Sequence, residues 1–425
     1  MTSSNGYSLH RPVLSDASVQ SAYRSNSSRV DIALLAAALF LQRFSVPYGN
    51  TFIDLELVAM GLILLYQFLI GKLLICSDRL LWFLGLALAL TCSLLINFQV
   101  TMLSGYLQFM IFFLLFTLKR PSTPDQYKGT LHAFQSLVMV LSCLAIAQLA
   151  VEVLGDRDRF TNFYGIFPDF LLGRAQVDHH EFDGGPFRSN GLFLAEPSFL
   201  SQMTALGILI EILEFGRPRY LFVMMVGFLL SYSGTGLILL LVFLPLAALG
   251  RGKAGVSALL VILFALGLVA TGVIDLSTFT SRVGEFGEAG TSGFSRFVAP
   301  FWLAAQQFQT ESLQALLLGH GPGTAKSIVV EAWYTGDFAG MWIKIFDEYG
   351  IIGSFMLYCF LASCLRRSRC PGLVIAAIIF AWIFLQGLMT ITIPLCTLSA
   401  LGPRYGRRDQ LSQGELSLAA GSAPV

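Results

Sequence analysis

The chain has 425 residues, of which 55% are hydrophobic and 12% are charged, and its net charge at pH 7 is only +1. A water-soluble domain carries roughly twice that share of charged residues, so the composition excludes an ordinary soluble protein. The balanced charge creates no overall field that would attract nucleic acid, so we expect no nucleic-acid partner. A chain of this length can supply about ten or more membrane spans with modest loops. We therefore predict an all-α, polytopic membrane protein.

Eleven apolar runs in the sequence predict spanning helices. A backbone inside the bilayer must satisfy its hydrogen bonds internally, so each run is expected to be helical. The runs lie near residues 31–46, 57–75, 80–97, 101–118, 131–154, 192–213, 220–232, 236–250, 255–274, 341–364 and 372–400. The last run is long enough for two short helices, so the expected total is about 11 or 12 spans. The sequence SYSGTG at Ser231–Gly236 predicts a tight reversal between two shorter runs.

Basic residues predict the orientation of these spans. Most of the 27 lysines and arginines fall before the first run, at alternate connections or near the carboxyl terminus, which we assign to the cytoplasm. Two long loops, residues 155–191 and 275–340, then face the opposite side of the membrane. Residues 1–30 and 403–425 are mostly polar, so we expect two disordered tails, the first of them cytoplasmic. The membrane domain between them comprises residues 31–402.

The first long loop ends in the sequence FRSNGLFLAEPSFLSQ, which holds two candidate site residues. Pro197 suits the first turn of the next helix, and Glu196 occupies the expected N-cap position. The amino end of that helix faces the outer side, where an anion such as a diphosphate would bind, with Arg188 as a bidentate donor. Two simpler interpretations stay open, in which Glu196 only caps the helix and Arg188 only anchors the chain at the interface.

The second long loop contains a basic residue and a glycine-rich turn. Arg296 precedes an amphipathic stretch, so we expect it at a helix start facing polar surroundings. The sequence GHGPG at Gly319–Gly323 predicts a backbone turn and not a nucleotide loop, because the GxxxxGK[ST] pattern is absent. Lys326 lies just beyond the turn and is expected to face the same cavity. His320 is either a turn residue or a functional one.

A third motif, DHHEFD at Asp178–Asp183, raises the question of a metal. Its adjacent histidines project in different directions and lack the spacing of a helical zinc site. We therefore predict a solvated loop here and no metal site.

Several of these motifs, in this order, resemble the bacterial O-antigen ligase and polymerase superfamily, including Wzy-type exopolysaccharide repeat-unit polymerases. The motifs are RSNGLFLAEPSFLS, SYSGTG, GFSRF before an amphipathic stretch, LLGHGPG, and KIFDEYGIIGS at the opening of a late span. Together they cover roughly residues 185–360, and the hydropathy profile extends the resemblance over nearly the whole chain.

The resemblance implies a glycosyltransferase at the periplasmic face of the bacterial inner membrane. Its substrate would be an oligosaccharide repeat linked to undecaprenyl diphosphate, held among membrane lipids. A hydroxyl of one repeat would attack the anomeric carbon of another with inversion and release the lipid diphosphate. Members of this superfamily are thought to use no metal, cofactor or nucleotide sugar. A chain-length regulator or export complex is a further partner that the resemblance suggests.

Site residues follow from the resemblance position by position. Arg188 and Arg296 match the family's outer arginines, and Glu196 matches the glutamate of its EPS motif. The family's turn before the late helix is matched by three glycines, Gly319, Gly321 and Gly323.

One departure from the pattern concerns a histidine. Ligases carry a functional histidine near the opening of the late span, where this chain has YTGDFAGMWIK. Asp337 is the nearest polar candidate there, and His320 comes too early. The departure favours a polymerase and leaves the general base open among Glu196, Asp337 and Glu331.

Two other functions stay open. An O-antigen ligase would share the fold and donor but transfer the glycan to another acceptor. A transporter of lipid-linked oligosaccharide would place ionisable residues near the membrane midplane, often in inverted repeats, and the sequence shows neither feature clearly.

Overall fold

The computed structural model describes residues 30–48, 51–71, 73–98, 103–119, 124–154, 171, 188–249, 252–270, 284, 287, 291–324, 341–365 and 371–385. Within these ranges the protein is almost entirely helical, which confirms the prediction of an all-α membrane protein. Residues 1–29 of the first predicted tail and the whole of the second lie outside the described residues, as do residues 325–340 and all of 155–187 except residue 171.

The first half of the chain combines helices with two small antiparallel sheets, of which only the first is a hairpin. Its elements are α1 (Val30–Phe40), β1 (Ser45–Tyr48), β2 (Thr51–Asp54), α2 (Leu55–Leu69), β3 (Leu74–Ile75), α3 (Ser77–Ile96), α4 (Leu103–Leu115), β4 (Leu118–Lys119) and α5 (Pro124–Val153). Strand β1 pairs antiparallel with β2, and β3 pairs antiparallel with β4. The first sheet therefore links the end of α1 to the start of α2, and the second brings the start of α3 beside the end of α4.

The described part of the second half is helical. Its elements are α6 (Pro197–Ile210), α7 (Pro218–Leu230), α8 (Gly234–Ala248), α9 (Lys253–Ala270), α10 (Ser292–Phe297), α11 (Ala299–Thr310), α12 (Leu313–Leu318), α13 (Met341–Leu365) and α14 (Gly372–Phe380). Two helices end in a π turn, α6 over Glu211–Phe215 and α14 over Ala381–Leu385.

Every predicted apolar run overlaps one of these helices. Four helical segments among the described residues are long and apolar enough to cross a membrane, namely Ser77–Ile96, Tyr127–Val151, Pro197–Phe215 and Trp342–Leu365. Shorter apolar helices cover most of the other runs. The total of 11 or 12 spans stays a prediction, because residues 386–400 lie outside the described part of the chain.

Three predicted helices are too long at their carboxyl ends. The runs near 57–75 and 101–118 end in strands β3 and β4, and the first run shows the same change most clearly. The run near 31–46 was expected to be helical throughout, but α1 ends at Phe40 and Ser45 already pairs with Asp54 in the β1–β2 hairpin. Pro47 has no backbone N–H and favours an extended conformation for Val46, so this stretch forms a strand instead.

Two hydrophobic clusters build the core, and α1 is shared between them. Leu35 and Leu39 pack with α5 to α9 and α14. On a neighbouring face of the same helix, Leu34 and Ala38 pack with α2, α3, α4 and α13. Since residues three or four apart share a helix face, α1 presents one face to each half of the bundle. Helix α1 therefore packs against both halves of the bundle.

The start of α6 is tied to the predicted reversal at Ser231–Gly236. Helix α7 ends at Leu230 and α8 begins at Gly234, which confirms the reversal. The Ser201 hydroxyl donates to the Ser233 carbonyl at 3.2 Å and accepts from the Gly236 N–H at 2.9 Å. This contact fixes the amino end of α6, where Glu196 lies, against the neighbouring helix pair.

Two arginines close the ends of the helices that lie away from the candidate site. Arg79, only 2% exposed, donates to the carbonyls of Phe116, Leu118 and Cys364 at 3.1 to 3.3 Å. Arg217 forms a bidentate pair with the buried Glu211 at the end of α6, with Nη2 2.7 Å from Oε2. Cations near the carboxyl ends of helices stabilise the exposed carbonyls.

Candidate functional site

Residues 188–196 form a tightly bonded segment that enters α6. The Ser189 N–H donates to the Leu230 carbonyl at 2.9 Å, which joins the segment to the end of α7. The buried Arg43 donates from Nη1 to the Leu192 carbonyl at 3.1 Å, which joins it to the end of α1. Arg188, at the beginning of the segment, is half-buried. Contacts at the ends of α1 and α7 therefore help to position this segment.

Glu196 occupies the N-cap of α6, and Pro197 occupies its first turn, as predicted. The Glu196 side chain accepts no hydrogen bond from the backbone of α6. Its Oε2 instead accepts a hydrogen bond from the Ser198 hydroxyl at 2.8 Å, and the residue is half-buried. The interpretation of Glu196 as a simple helix cap therefore lacks the bond that defines one. The carboxylate is held beside the amino end of α6 with access to solvent.

The predicted glycine turn is present and docks onto a break in α13. Gly319, Gly321 and Gly323 all have positive φ, at 73°, 100° and 82°. The N–H groups of His320 and Gly321 donate to the carbonyls of Asp347 and Glu348, each at 2.9 Å. These carbonyls are available because Gly350, at φ 65° and ψ −166°, interrupts the helix.

Only glycine fits at the contact between the turn and the break. A Cβ on Gly319 would overlap the backbone of Glu348 and Tyr349, and a Cβ on Gly350 would overlap the backbone of Leu317. The C-terminal end of α3 holds the same junction, since Ser93 donates to the Glu348 carbonyl and Asn97 to the Gly319 carbonyl. The turn and α13 therefore form one rigid unit with α3.

The His320 imidazole bridges two carboxylates from different elements. Its Nδ1 lies 3.3 Å from Asp347 Oδ1, and its Nε2 lies 3.3 Å from Glu311 Oε2. The hydrogen bond to Asp347, partly opposed by burial and aided by the charges of Asp347 and Glu311, raises the pKa of His320 to about 9. The amide of Gln307 also donates to Asp347 Oδ1. His320 is therefore a cation at neutral pH, paired on both sides.

Asp347 and its neighbour Glu348 were not among the predicted site residues. Asp347 and Glu348 are 3% and 4% exposed, although both lie at the start of a membrane-spanning helix. Adjacent acidic residues before a glycine in an apolar helix, as in FDEYG, are the signal that could have indicated them.

The remaining predicted site residues are described in part or not at all. The backbone of Arg296 lies in the last turn of α10, so the residue does not start the amphipathic helix α11, contrary to our expectation. Val298, with φ −113°, separates the two helices. The Arg296 side chain, Lys326, Asp337, Glu331 and the DHHEFD motif lie outside the described residues.

Residues 188–196 and the glycine turn lie at the same end of the bundle. Short connections join α1 to α2 and α2 to α3, so the carboxyl ends of α1 and α3 point the same way. The end of α1 carries the contact with Leu192, and the end of α3 carries the contact with Gly319. The Glu196 segment and the glycine turn therefore share one face of the membrane domain.

Comparison with known proteins supplies one match. A protein-family model described as WcaD colanic acid polymerase matches residues 31–393, which is most of the chain and includes both clusters. No curated protein matches the chain.

Proposed function

The chain belongs to the WcaD colanic acid polymerase family, and we propose that it joins oligosaccharide repeats carried on undecaprenyl diphosphate at the periplasmic face of the bacterial inner membrane. The family makes it a multi-pass membrane polymerase of exopolysaccharide synthesis, and thus an enzyme of the glycosyltransferase type. The observation that carries the proposal is the family match over residues 31–393. A polymerase of this kind takes a lipid-linked oligosaccharide as its substrate.

The proposed reaction is an inverting glycosyl transfer. A hydroxyl of the acceptor repeat attacks the anomeric carbon of the donor, and the bond from that carbon to the diphosphate oxygen breaks. The hydroxyl proton passes to a general base, and the lipid diphosphate leaves with the bonding electron pair. Two parts of the protein are needed for this step: a carboxylate that reaches the hydroxyl and cations that stabilise the diphosphate.

Glu196 is the carboxylate that we assign to the base. Its half-buried position and its hydrogen bond from Ser198 support this role, because the carboxylate is oriented by a neighbour yet accessible. No hydrogen bond to the α6 backbone restrains it. A base must come within hydrogen-bonding distance of the proton that it accepts, which an accessible carboxylate allows.

Arg188 and Arg296 are the cations that we assign to the diphosphate. A guanidinium binds phosphate oxygens through two parallel hydrogen bonds, which a point charge such as lysine cannot do. We keep Lys326, His320, Asp337 and the glycines Gly319, Gly321 and Gly323 as proposed substrate-binding residues, and a chain-length regulator or export complex as a proposed partner.

Reconstitution tests the function. Purified protein in nanodiscs is mixed with a lipid-diphosphate-linked repeat matched to its own polysaccharide, with EDTA and without nucleotide sugar. We expect a ladder of products spaced by one repeat. Intact substrate without any ladder would contradict the proposal and direct the next assay to a second acceptor or to transport.

Substitution of Arg188 tests its assignment. Arg188→Ala should abolish the ladder at matched protein level, and Arg188→Lys should restore it only in part, because lysine lacks the planar fork. Arg219→Ala is the matched control, because Arg219 is exposed at the start of α7, away from residues 188–196. A full-length ladder from Arg188→Ala would remove this residue from the site.

A further inference from the structure

Gln148 is a buried polar residue on α5 that the reaction scheme does not use. It is 2% exposed and lies in the apolar sequence AIAQLAV. A buried amide destabilises the fold unless both of its ends find hydrogen-bond partners. Both partners of Gln148 lie in the 188–196 segment: its Oε1 accepts from the Ser189 hydroxyl at 2.6 Å, and its Nε2 donates to Asn190 Oδ1 at 3.1 Å.

From these two side chains the hydrogen bonds continue into the backbone of the same segment. The Ser189 hydroxyl accepts from the Gly191 N–H at 3.2 Å, and Asn190 Oδ1 accepts from the Leu192 N–H at 3.0 Å. The side-chain nitrogen of Asn190, Nδ2, donates to the Leu194 carbonyl at 2.9 Å. In this network the Ser189 hydroxyl needs an acceptor and Asn190 Oδ1 needs a donor. The carboxamide of Gln148 supplies both, side by side.

These bonds hold the backbone of the segment in a conformation that it would not readily adopt without them. Gly191 and Leu192 have φ of 66° and 71°, and leucine rarely occupies this left-handed region. Strained residues persist where the surroundings over-determine them, and they cluster at functional sites. Here the Leu192 N–H is taken by Asn190 and its carbonyl by Arg43, so the strain is held from two sides.

We propose that Gln148 is a positioning residue, whose carboxamide holds residues 188–196 in the conformation that presents Arg188 and Glu196 to the lipid-linked substrate. This inference rests on the proposed function. Gln148 does not touch the substrate itself, and it acts through Ser189 and Asn190.

The chain offers a matched control on the same helix. Gln135 is fully buried on α5, and its Nε2 donates to the Gly207 carbonyl of α6 at 2.7 Å. Gln135→Leu therefore removes a buried hydrogen bond between helices without touching residues 188–196. Gln148→Leu makes the same chemical change at the segment.

Kinetics of the reconstituted polymerase test the proposal. Gln148→Leu should lower kcat by about tenfold to a hundredfold with little change in KM, because misplaced reacting groups slow the chemical step. Gln135→Leu should keep kcat close to wild type. The double variant Gln148→Leu, Ser189→Ala should lose no more than Gln148→Leu alone, because both changes break one network. Wild-type kcat in Gln148→Leu, an equal loss in Gln135→Leu, or additive losses would overturn the proposal.

Hydrogen exchange separates this proposal from the proposed function. In the folded wild-type protein, the N–H groups of Gly191 and Leu192 should exchange slowly, and Gln148→Leu should accelerate both while Gln135→Leu leaves them protected. This readout needs no turnover. An inactive wild type with the expected exchange would reject the polymerase and keep the anchoring, whereas unchanged exchange in Gln148→Leu would reject the anchoring itself.

Discussion

Glu196 is the residue whose surroundings bear most directly on chemistry. Its carboxylate is held by Ser198 and not by the backbone of α6. Glu196→Gln keeps an acceptor for the Ser198 hydroxyl, so the local structure should survive while the proposed base is lost. We expect the rate of polymerisation to fall by about a hundredfold or more, the usual contribution of a general base.

The control for this substitution lies on the same element. Glu214 is exposed in the π turn at the other end of α6, and Glu214→Gln should leave the rate unchanged. The measurement is the initial rate of bond formation at equal amounts of folded enzyme. A wild-type rate in Glu196→Gln would exclude Glu196 as the base and leave Asp337 and Glu331 as carboxylate candidates.

The protonation of His320 stabilises the fold. Its pKa is raised from the ordinary 6.5 to about 9 by Asp347 and Glu311, so the folded state binds the proton more tightly than the unfolded chain. The resulting stabilisation is fully present below pH 6.5 and is lost as the pH rises through about 9. Solvent screening limits it to about 1 to 2 kcal/mol.

Thermal unfolding in detergent across this pH range measures the effect. The wild-type protein should lose stability between pH 6.5 and about 9.5, whereas His320→Gln should give a flatter curve over the same window. His320→Gln keeps the hydrogen bond from the N–H of residue 320 to the Asp347 carbonyl and removes the imidazolium charge. Parallel curves for the two proteins would show that the pairing contributes nothing.

The junction between the glycine turn and the break in α13 leaves no room for a side chain at either glycine. Gly319→Ala adds a Cβ that would overlap the backbone of Glu348 and Tyr349, in addition to the cost of positive φ. Gly71 has a similar φ of 71°, but a Cβ there meets open space. Gly71→Ala should therefore cost about 1 kcal/mol, and Gly319→Ala about 3 kcal/mol or more.

Melting temperatures of the two alanine variants decide this comparison. The larger loss is expected in Gly319→Ala, because backbone atoms cannot move aside as a flexible side chain can. Equal melting temperatures would mean that the turn and α13 separate easily, and the junction would then not be rigid.

Hydropathy predicted the helices well because lipid imposes its length and polarity on each spanning segment separately. Pro197 and Glu196 likewise indicated the start of α6 from local chemistry alone. The break at Gly350 and the bonds of Gln148 were not predictable, since each depends on a partner far away in the chain. A glutamine within an apolar helix gives no sign of which loop it binds.

For the molecule as a whole, topology brings these distant residues to one end. Helix α1 packs against both halves of the bundle, and its carboxyl end lies beside the Glu196 segment. The glycine turn joins α13 to the end of α3 on the same face. The proposed reaction needs two lipid-linked chains to meet at one membrane face, and residues 188–196 and the glycine turn both lie at one face of the bundle.

The stoichiometry of the reaction tests the proposed polymerase activity most directly. Purified protein, lipid-linked repeat and EDTA are incubated without nucleotide sugar, and both new glycosidic bonds and released lipid diphosphate are counted. We expect one lipid diphosphate to be released for every bond formed, with no release in the absence of bond formation. Bonds without released lipid diphosphate, or release without bonds, would contradict the proposed activity.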